Sequence, residues 1–152
     1  PKNARYVFEM GMVYYAIPDD KNAIAMFELA AERGWVKNAE YYENLAYSYM
    51  NLGNFAKSTE MLEKSLEKRP YSITVRYALA ESQYKGGKYQ DAIDNWDQVL
   101  QLDNKNARAL YMIGMSYQKM GQKDKGMALC DKAIEMDPSL NSLKQKKMDM
   151  GM

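Results

Sequence analysis

The 152-residue chain repeats itself at intervals of 34 residues. That constrains its fold more than any single residue does, because a recurring sequence must recur as one supersecondary unit that stacks on its copies. Three columns of the repeat carry small residues. They are Gly11, Ala46, Ala80 and Gly114; Ala23, Ser58, Ala92 and Gly126; and Ala30, Ser65, Val99 and Ala133. Eleven of these twelve positions are Gly, Ala or Ser, so chance does not account for the alignment. Large residues align too. Met10, Leu45, Leu79 and Ile113 form one column, Tyr14, Tyr49, Gln83 and Tyr117 a second, and Phe27, Leu62, Trp96 and Cys130 a third. A small residue lets two helices approach, and a large one fills the space beside it.

Punctuation keeps the same period. Gly53, Gly87 and Gly121 share a column, with Pro18 in the corresponding place of the first unit. Glycine just past a helix supplies the left-handed conformation that ends it. Asn3, Asn38, Ser72 and Asn106 each precede an apolar-periodic run, where a side-chain oxygen can cap a helix start. Pro70 and Pro138 close units, and Asn104 and either Trp35 or Val36 take that place elsewhere. Each unit therefore reads helix, turn, helix. The helices are predicted near 4–17, 20–33, 39–52, 55–68, 73–86, 89–102, 107–120 and 123–136. The repeats are 4–38, 39–72, 73–106 and 107–140, with a polar capping helix over 141–152. Pro1 falls where a preceding unit would close, so the chain reads as a segment excised from a longer repeat protein.

The fourth unit runs Leu110-Tyr111-Met112-Ile113-Gly114-Met115-Ser116-Tyr117, then Gly126, Cys130, Ala133 and Pro138. The second runs Tyr42-Glu43-Asn44-Leu45-Ala46-Tyr47-Ser48-Tyr49, then Ser58, Leu62, Ser65 and Pro70. These residues resemble the tetratricopeptide repeat, whose pattern is W-x2-L-G-x2-Y followed by A-x3-F, A and P. The resemblance covers residues 4–140 and departs at Pro18, Trp35, Gln83 and Val99. It implies an all-α fold, a right-handed superhelix of four helix-turn-helix repeats plus the cap. It also implies that the first helix of each unit lines the inner, concave surface.

On that implied surface the residues expected to meet a partner are Phe8, Met12, Tyr15, Asn44, Tyr47, Met50, Tyr77, Tyr84, Arg108, Tyr111 and Met115. Charges are scattered among them: Glu40, Glu43, Glu81, Lys85 and Lys119. Tyrosine gives large contact area at low entropic cost, and methionine adapts to varied shapes. Tyr14, Tyr49 and Tyr117 are expected in the core, as are Met10, Met26, Met61, Met127 and Met136. Cys130 is expected as a buried, inert thiol. Trp35 is either a plug at the first unit junction or an exposed anchor.

Composition narrows the function. The chain has no His and one Cys, which removes the commonest general base and any Cys-rich zinc site. Lys85-Gly86-Gly87-Lys88 places its glycines at an inter-helix turn, so it is not read as a phosphate loop. Asp19-Asp20 reads as a helix start. The expectation is a non-catalytic module without cofactor or metal. It binds a protein or peptide partner in its groove, with no nucleic acid, because a net charge of +1 lacks the basic excess of such surfaces. No membrane insertion is expected, since no apolar run approaches the roughly 18 residues a span needs. The alternative is an architectural segment of a longer solenoid, with homodimerisation through the repeat ends. The chaperone-tail clamp that some tetratricopeptide modules carry needs Lys, Asn and Arg on three consecutive first helices. Phe8, Met12, Thr74 and Ala78, or Glu43, Tyr47, Ala78 and Met112, fill those places here, so no such affinity is expected.

Overall fold

The computed structural model describes residues 2–143. Among these the chain is helical, with no strand. It forms four pairs: α1 (Lys2–Ala16) with α2 (Asp20–Glu32), α3 (Ala39–Asn51) with α4 (Phe55–Lys68), α5 (Ile73–Lys85) with α6 (Tyr89–Leu102), and α7 (Ala107–Lys119) with α8 (Lys123–Met136). Each helix packs chiefly on those before and after it in the chain, which makes an open helical-repeat superhelix.

The local causes are those the repeat announces. Asn38, Ser72 and Asn106 accept hydrogen bonds from the backbone N–H of Tyr41, Val75 and Ala109 at 2.9, 3.2 and 3.0 Å, capping α3, α5 and α7. Gly53, Gly87 and Gly121 take φ of 78°, 81° and 89° in the turns between first and second helices, where a Cβ would be strained. Asp19 caps α2 through Asn22 N–H at 3.3 Å, and Asp20 is buried with its carboxylate held by Asn51 Nδ2 at 3.2 Å. Asn3 departs from its column. The first helix already begins at Lys2, so Asn3 lies inside it and accepts from Arg33 Nη1 at 3.2 Å.

The small-residue columns are where helices of a pair touch. A Cβ on Gly11 would sit 2.6 Å from the Phe27 ring. A Cβ on Gly114 would sit 2.6 Å from the carbonyl oxygen of Gly126, the glycine opposite. Phe27, Leu62 and Trp96 fill the large column at the centre of their units, fully buried. Gln83 stands where other units have tyrosine, and its Oε1 accepts from Asn95 Nδ2 at 2.7 Å, so the exception is satisfied internally. Buried serines bind across helices: Ser65 Oγ donates to the Ala39 carbonyl at 2.9 Å, and Ser82 Oγ meets Thr59 Oγ1 at 3.0 Å.

Trp35 is a junction plug. Its half-buried ring stacks on Phe8 at 4.2 Å between centroids. Met10 breaks its column: it is 51% exposed, whereas Leu45, Leu79 and Ile113 are each 4% exposed. The cause is topological. The helices α3, α5 and α7 each lie between two second helices, whereas among the described residues α1 has one second helix beside it, α2. Met127 and Met136 are exposed as well, Met26 is half-buried, and only Met61 of the five methionines assigned to the core is buried. Cys130 is buried, as expected, its thiol donating to the Tyr111 carbonyl at 3.4 Å. After a 3-10 turn over Pro138–Leu140 the chain is helical again at 141–143. Leu140 and Leu143 lie on Ala107, Tyr111 and Ala133, so the expected cap starts by covering the last pair. The rest of that cap, 144–152, and Pro1 fall outside the described residues.

Candidate functional site

Side chains of neighbouring first helices come within electrostatic reach of one another: Tyr15 and Glu81 of Tyr47, and Arg108 of Tyr77. Tyr47 and Glu81 share one register place, and Glu43 and Tyr77 share another. Within α3, the Tyr47 hydroxyl donates to Glu43 Oε1 at 2.6 Å, one turn back. Tyr47 is half-buried, and burial pushes its hydroxyl well above the usual range. The bond to Glu43 adds to this, as do the charges of Glu43 and Glu81 and the neighbouring Tyr15. It therefore stays a donor at every physiological pH and fixes the Glu43 carboxylate. On the next unit, burial also raises Tyr77, opposed by the guanidinium of Arg108 from α7. Tyr77 and Tyr84 both meet Trp96 edge to face, at 5.8 and 5.9 Å, and Tyr84 meets Tyr89 at 5.4 Å. One row thus links four units: Tyr15 to Tyr47 and Glu43, then Glu81 and Tyr77, then Arg108.

The expected residues divide. Met12 and Arg108 are exposed, and Tyr15, Tyr47, Tyr77, Tyr84 and Met115 are half-buried, so all seven keep some exposed surface. Phe8, Met50 and Tyr111 do not; all three are buried. Phe8 lies between Phe27 and Trp35, Met50 joins the core of the first two units, and Tyr111 packs with Cys130 and Leu140. At these three places the small-residue columns bring the second helix close enough to enclose a large side chain. Asn44 is half-buried with its amide nitrogen enclosed and without a hydrogen-bond partner, so that donor is not offered to the face.

A second concavity escaped the sequence reading. Glu28 and Glu32 of α2, Tyr41, Tyr42 and Tyr49 of α3 and Lys57, Glu60 and Lys64 of α4 line a cleft of about 390 Å³ on the second-helix side. Its groups answer one another. Tyr49 donates to Glu28 at 3.1 Å, Lys57 and Lys64 each lie 3.6 Å from Glu60, and Lys64 sits 5.7 Å from the Tyr42 ring centroid. Burial, with the Glu28 charge second, pushes the Tyr41 hydroxyl up to about 12. Its signal was present in the sequence as the bulky Tyr41 and Tyr42, which stand where later units have Val75, Arg76, Ala109 and Leu110.

Fold and face together define a helical-repeat interaction scaffold. TPR repeat and tetratricopeptide repeat family models match residues 80–121 and 107–140. A third, described as anaphase-promoting complex, cyclosome, subunit 3, matches 19–98, just over half of the chain. The chain belongs to the tetratricopeptide-repeat family. It is 28% identical over 109 residues to the Protein CTR9 homolog of Arabidopsis thaliana, covering 69% of this chain and 10% of that one. It is 26% identical over 153 aligned residues to the human DnaJ homolog subfamily C member 7, covering 93% of this chain and 31% of that one. The chain thus spans under a third of these relatives' length. Among solved structures, YrrB superposes with a TM-score of 0.84 at 24% identity over 95% of this chain and 74% of that one. MamA does so at 0.79 and 19%, over 93% and 82%. Both share the fold. No helix among the described residues is long and apolar enough to cross a membrane.

Proposed function

We propose that this protein-interaction module captures a segment of another polypeptide along its first-helix face, without catalysis. The observation that carries the reading is that Tyr15, Tyr47, Tyr77 and Arg108, one on the first helix of each of the four units, all keep exposed surface, with Tyr15 beside Tyr47 and Tyr77 beside Arg108. Half-buried tyrosines anchored at one edge are rigid, so a partner ordering against them loses little entropy on this side. The similar YrrB is described as a TPR protein with an unusual peptide-binding site, which agrees with a face used for a chain. The residues assigned to contact are Met12, Tyr15, Tyr47, Tyr77, Tyr84, Arg108 and Met115. The test is affinity capture from native lysate with Tyr15→Ala and Tyr47→Ala combined. Capture falls away while helicity holds; undiminished capture by the double variant rejects the face.

One observation favours a second reading, self-association through the first unit. Tyr6, Met10 and Val13 form an apolar stripe on α1, all exposed, while their register mates Tyr41, Leu45 and Ser48, Val75, Leu79 and Ser82, and Ala109, Ile113 and Ser116 are all buried. The stripe is the surface that a second helix covers in every later unit. Light scattering tests this reading. A dimer that Met10→Glu with Val13→Glu converts to monomer supports it, and a wild-type monomer at high concentration rejects it.

A further inference from the structure

We propose that the exposed stripe of α1 is covered by α8 of a second copy, so that copies join head to tail. This rests on the self-association reading above and names what the stripe meets. The chain carries the template for the contact in its own junctions between units. Across α2 and α3, the Tyr49 hydroxyl donates to Glu28 at 3.1 Å and Asn51 Nδ2 donates to Asp20 at 3.2 Å. Across α4 and α5, Ser82 Oγ meets Thr59 Oγ1 at 3.0 Å and donates to the Phe55 carbonyl at 3.3 Å. The early turns of a second helix thus lie on the late turns of the next first helix.

These contacts have register counterparts at the two ends of the stack. Ser82 shares a column with Val13, Ser48 and Ser116, and Thr59 shares one with Ile24, Ile93 and Met127. Between units the columns are covered: the three serines are fully buried, Ile93 is buried, and Ile24 and Thr59 are half-buried. At the ends they are open, with Val13 60% and Met127 52% exposed. Among the described residues α8 packs on α7 and on the turn Pro138–Leu140. Leu140 and Leu143 reach Ala133, further along α8, and leave Met127 uncovered. Val13 and Met127 are therefore the two halves of the contact that Ser82 and Thr59 make between α5 and α4. Ile17, also exposed, extends the α1 half, and Tyr14 and Asp131 hold the register places of Tyr49 and Glu28. Where the inner junction has a Ser–Thr hydrogen bond, the junction between copies brings two apolar side chains together and removes both from water. The contact is heterologous. Each added copy presents a fresh end, so association continues past a dimer, whereas a symmetric α1-to-α1 contact stops there.

The experiment is sedimentation velocity over a concentration series of the 152-residue chain. Four samples are compared: wild type, Val13→Glu, Met127→Glu, and an equal mixture of the two variants. Wild type is expected to grow beyond a dimer as concentration rises. Each variant alone associates about tenfold or more weakly, because the new carboxylate is enclosed without a partner. The mixture forms a dimer that does not grow, since Met127→Glu keeps an intact α1 and Val13→Glu an intact α8. Circular dichroism confirms that both variants keep their helices, as both side chains are more than half exposed. If Met127→Glu associates like wild type, or the mixture forms no dimer, this inference is overturned. The self-association reading then stands if Val13→Glu is monomeric. A monomeric wild type, or association unmoved by Val13→Glu, overturns both.

Discussion

Two surfaces of this molecule look alike in composition and differ in what they leave undone. The first-helix face and the second-helix cleft both carry tyrosines, glutamates and cations. In the cleft the charges close on one another: Lys57 and Lys64 on Glu60, Tyr49 on Glu28, and Lys64 near the Tyr42 ring. On the face, Glu43 has a hydroxyl but none of the described ion-pair cations, and Arg108 is exposed beside a tyrosine. The proposed binding face and the cleft therefore share an aromatic lining and differ in how many of their charged groups are paired within the molecule.

The comparison can be broken in stages. The largest effect concerns membership of the face. Phe8, stacked on Trp35 and against Phe27, belongs to the core, so Phe8→Ala costs about 3–5 kcal/mol in denaturant unfolding. Met12→Ala, on an exposed side chain of the same helix, costs about 1 kcal/mol or less. Equal losses would erase the line drawn between them. Next is binding: combining Tyr15→Ala and Tyr47→Ala removes on the order of 3 kcal/mol of affinity for a captured segment, measured by titration.

Third is the alkaline limb of stability. Tyr41, at the cleft floor, has its hydroxyl raised from 10.0 to about 12 in the folded chain. The unfolded chain therefore loses that proton first, and stability is flat through neutrality and falls as pH rises from 10 towards 12. Tyr41 contributes on the order of 2–3 kcal/mol to that fall. Tyr41→Phe flattens that part of the slope in pH-dependent unfolding; an unchanged slope contradicts the assignment. The smallest effect is Lys64→Ala in the cleft. It changes stability by about 0.5 kcal/mol and leaves capture as it was. A loss of capture there would move the site to the other side of the molecule.

Much of the architecture was legible in the sequence because the repeat writes each packing rule four times. Glycines at 53, 87 and 121 and caps at 38, 72 and 106 are local signals, and they agree with the structure. Periodicity misled where a column's environment is not periodic. Met10 has the pattern of Leu45 and, among the described residues, one second helix beside its own where Leu45 has two, and Asn3 has the pattern of a cap inside a helix that starts earlier. The proposed face was readable as a row of first helices and not as a set of outward side chains. Phe8, Met50 and Tyr111 lie on first helices, but whether a large side chain turns outward depends on how closely the second helix approaches, which the column of its own residues does not record. The cleft was missed for a related reason, since it arises between α2 and α4, far apart in sequence and each unremarkable alone.

The chain's 13 methionines sample every surface under discussion. Met12 and Met115 lie on the first-helix face, Met61 lines the cleft and Met10 marks the outer stripe of α1. A methionine methyl NMR titration with a captured segment therefore reads all three at once. Shifts at Met12 and Met115, with Met61 and Met10 unmoved, are the result expected of a partner held along the first helices. Shifts confined to Met61 or to Met10 would contradict it.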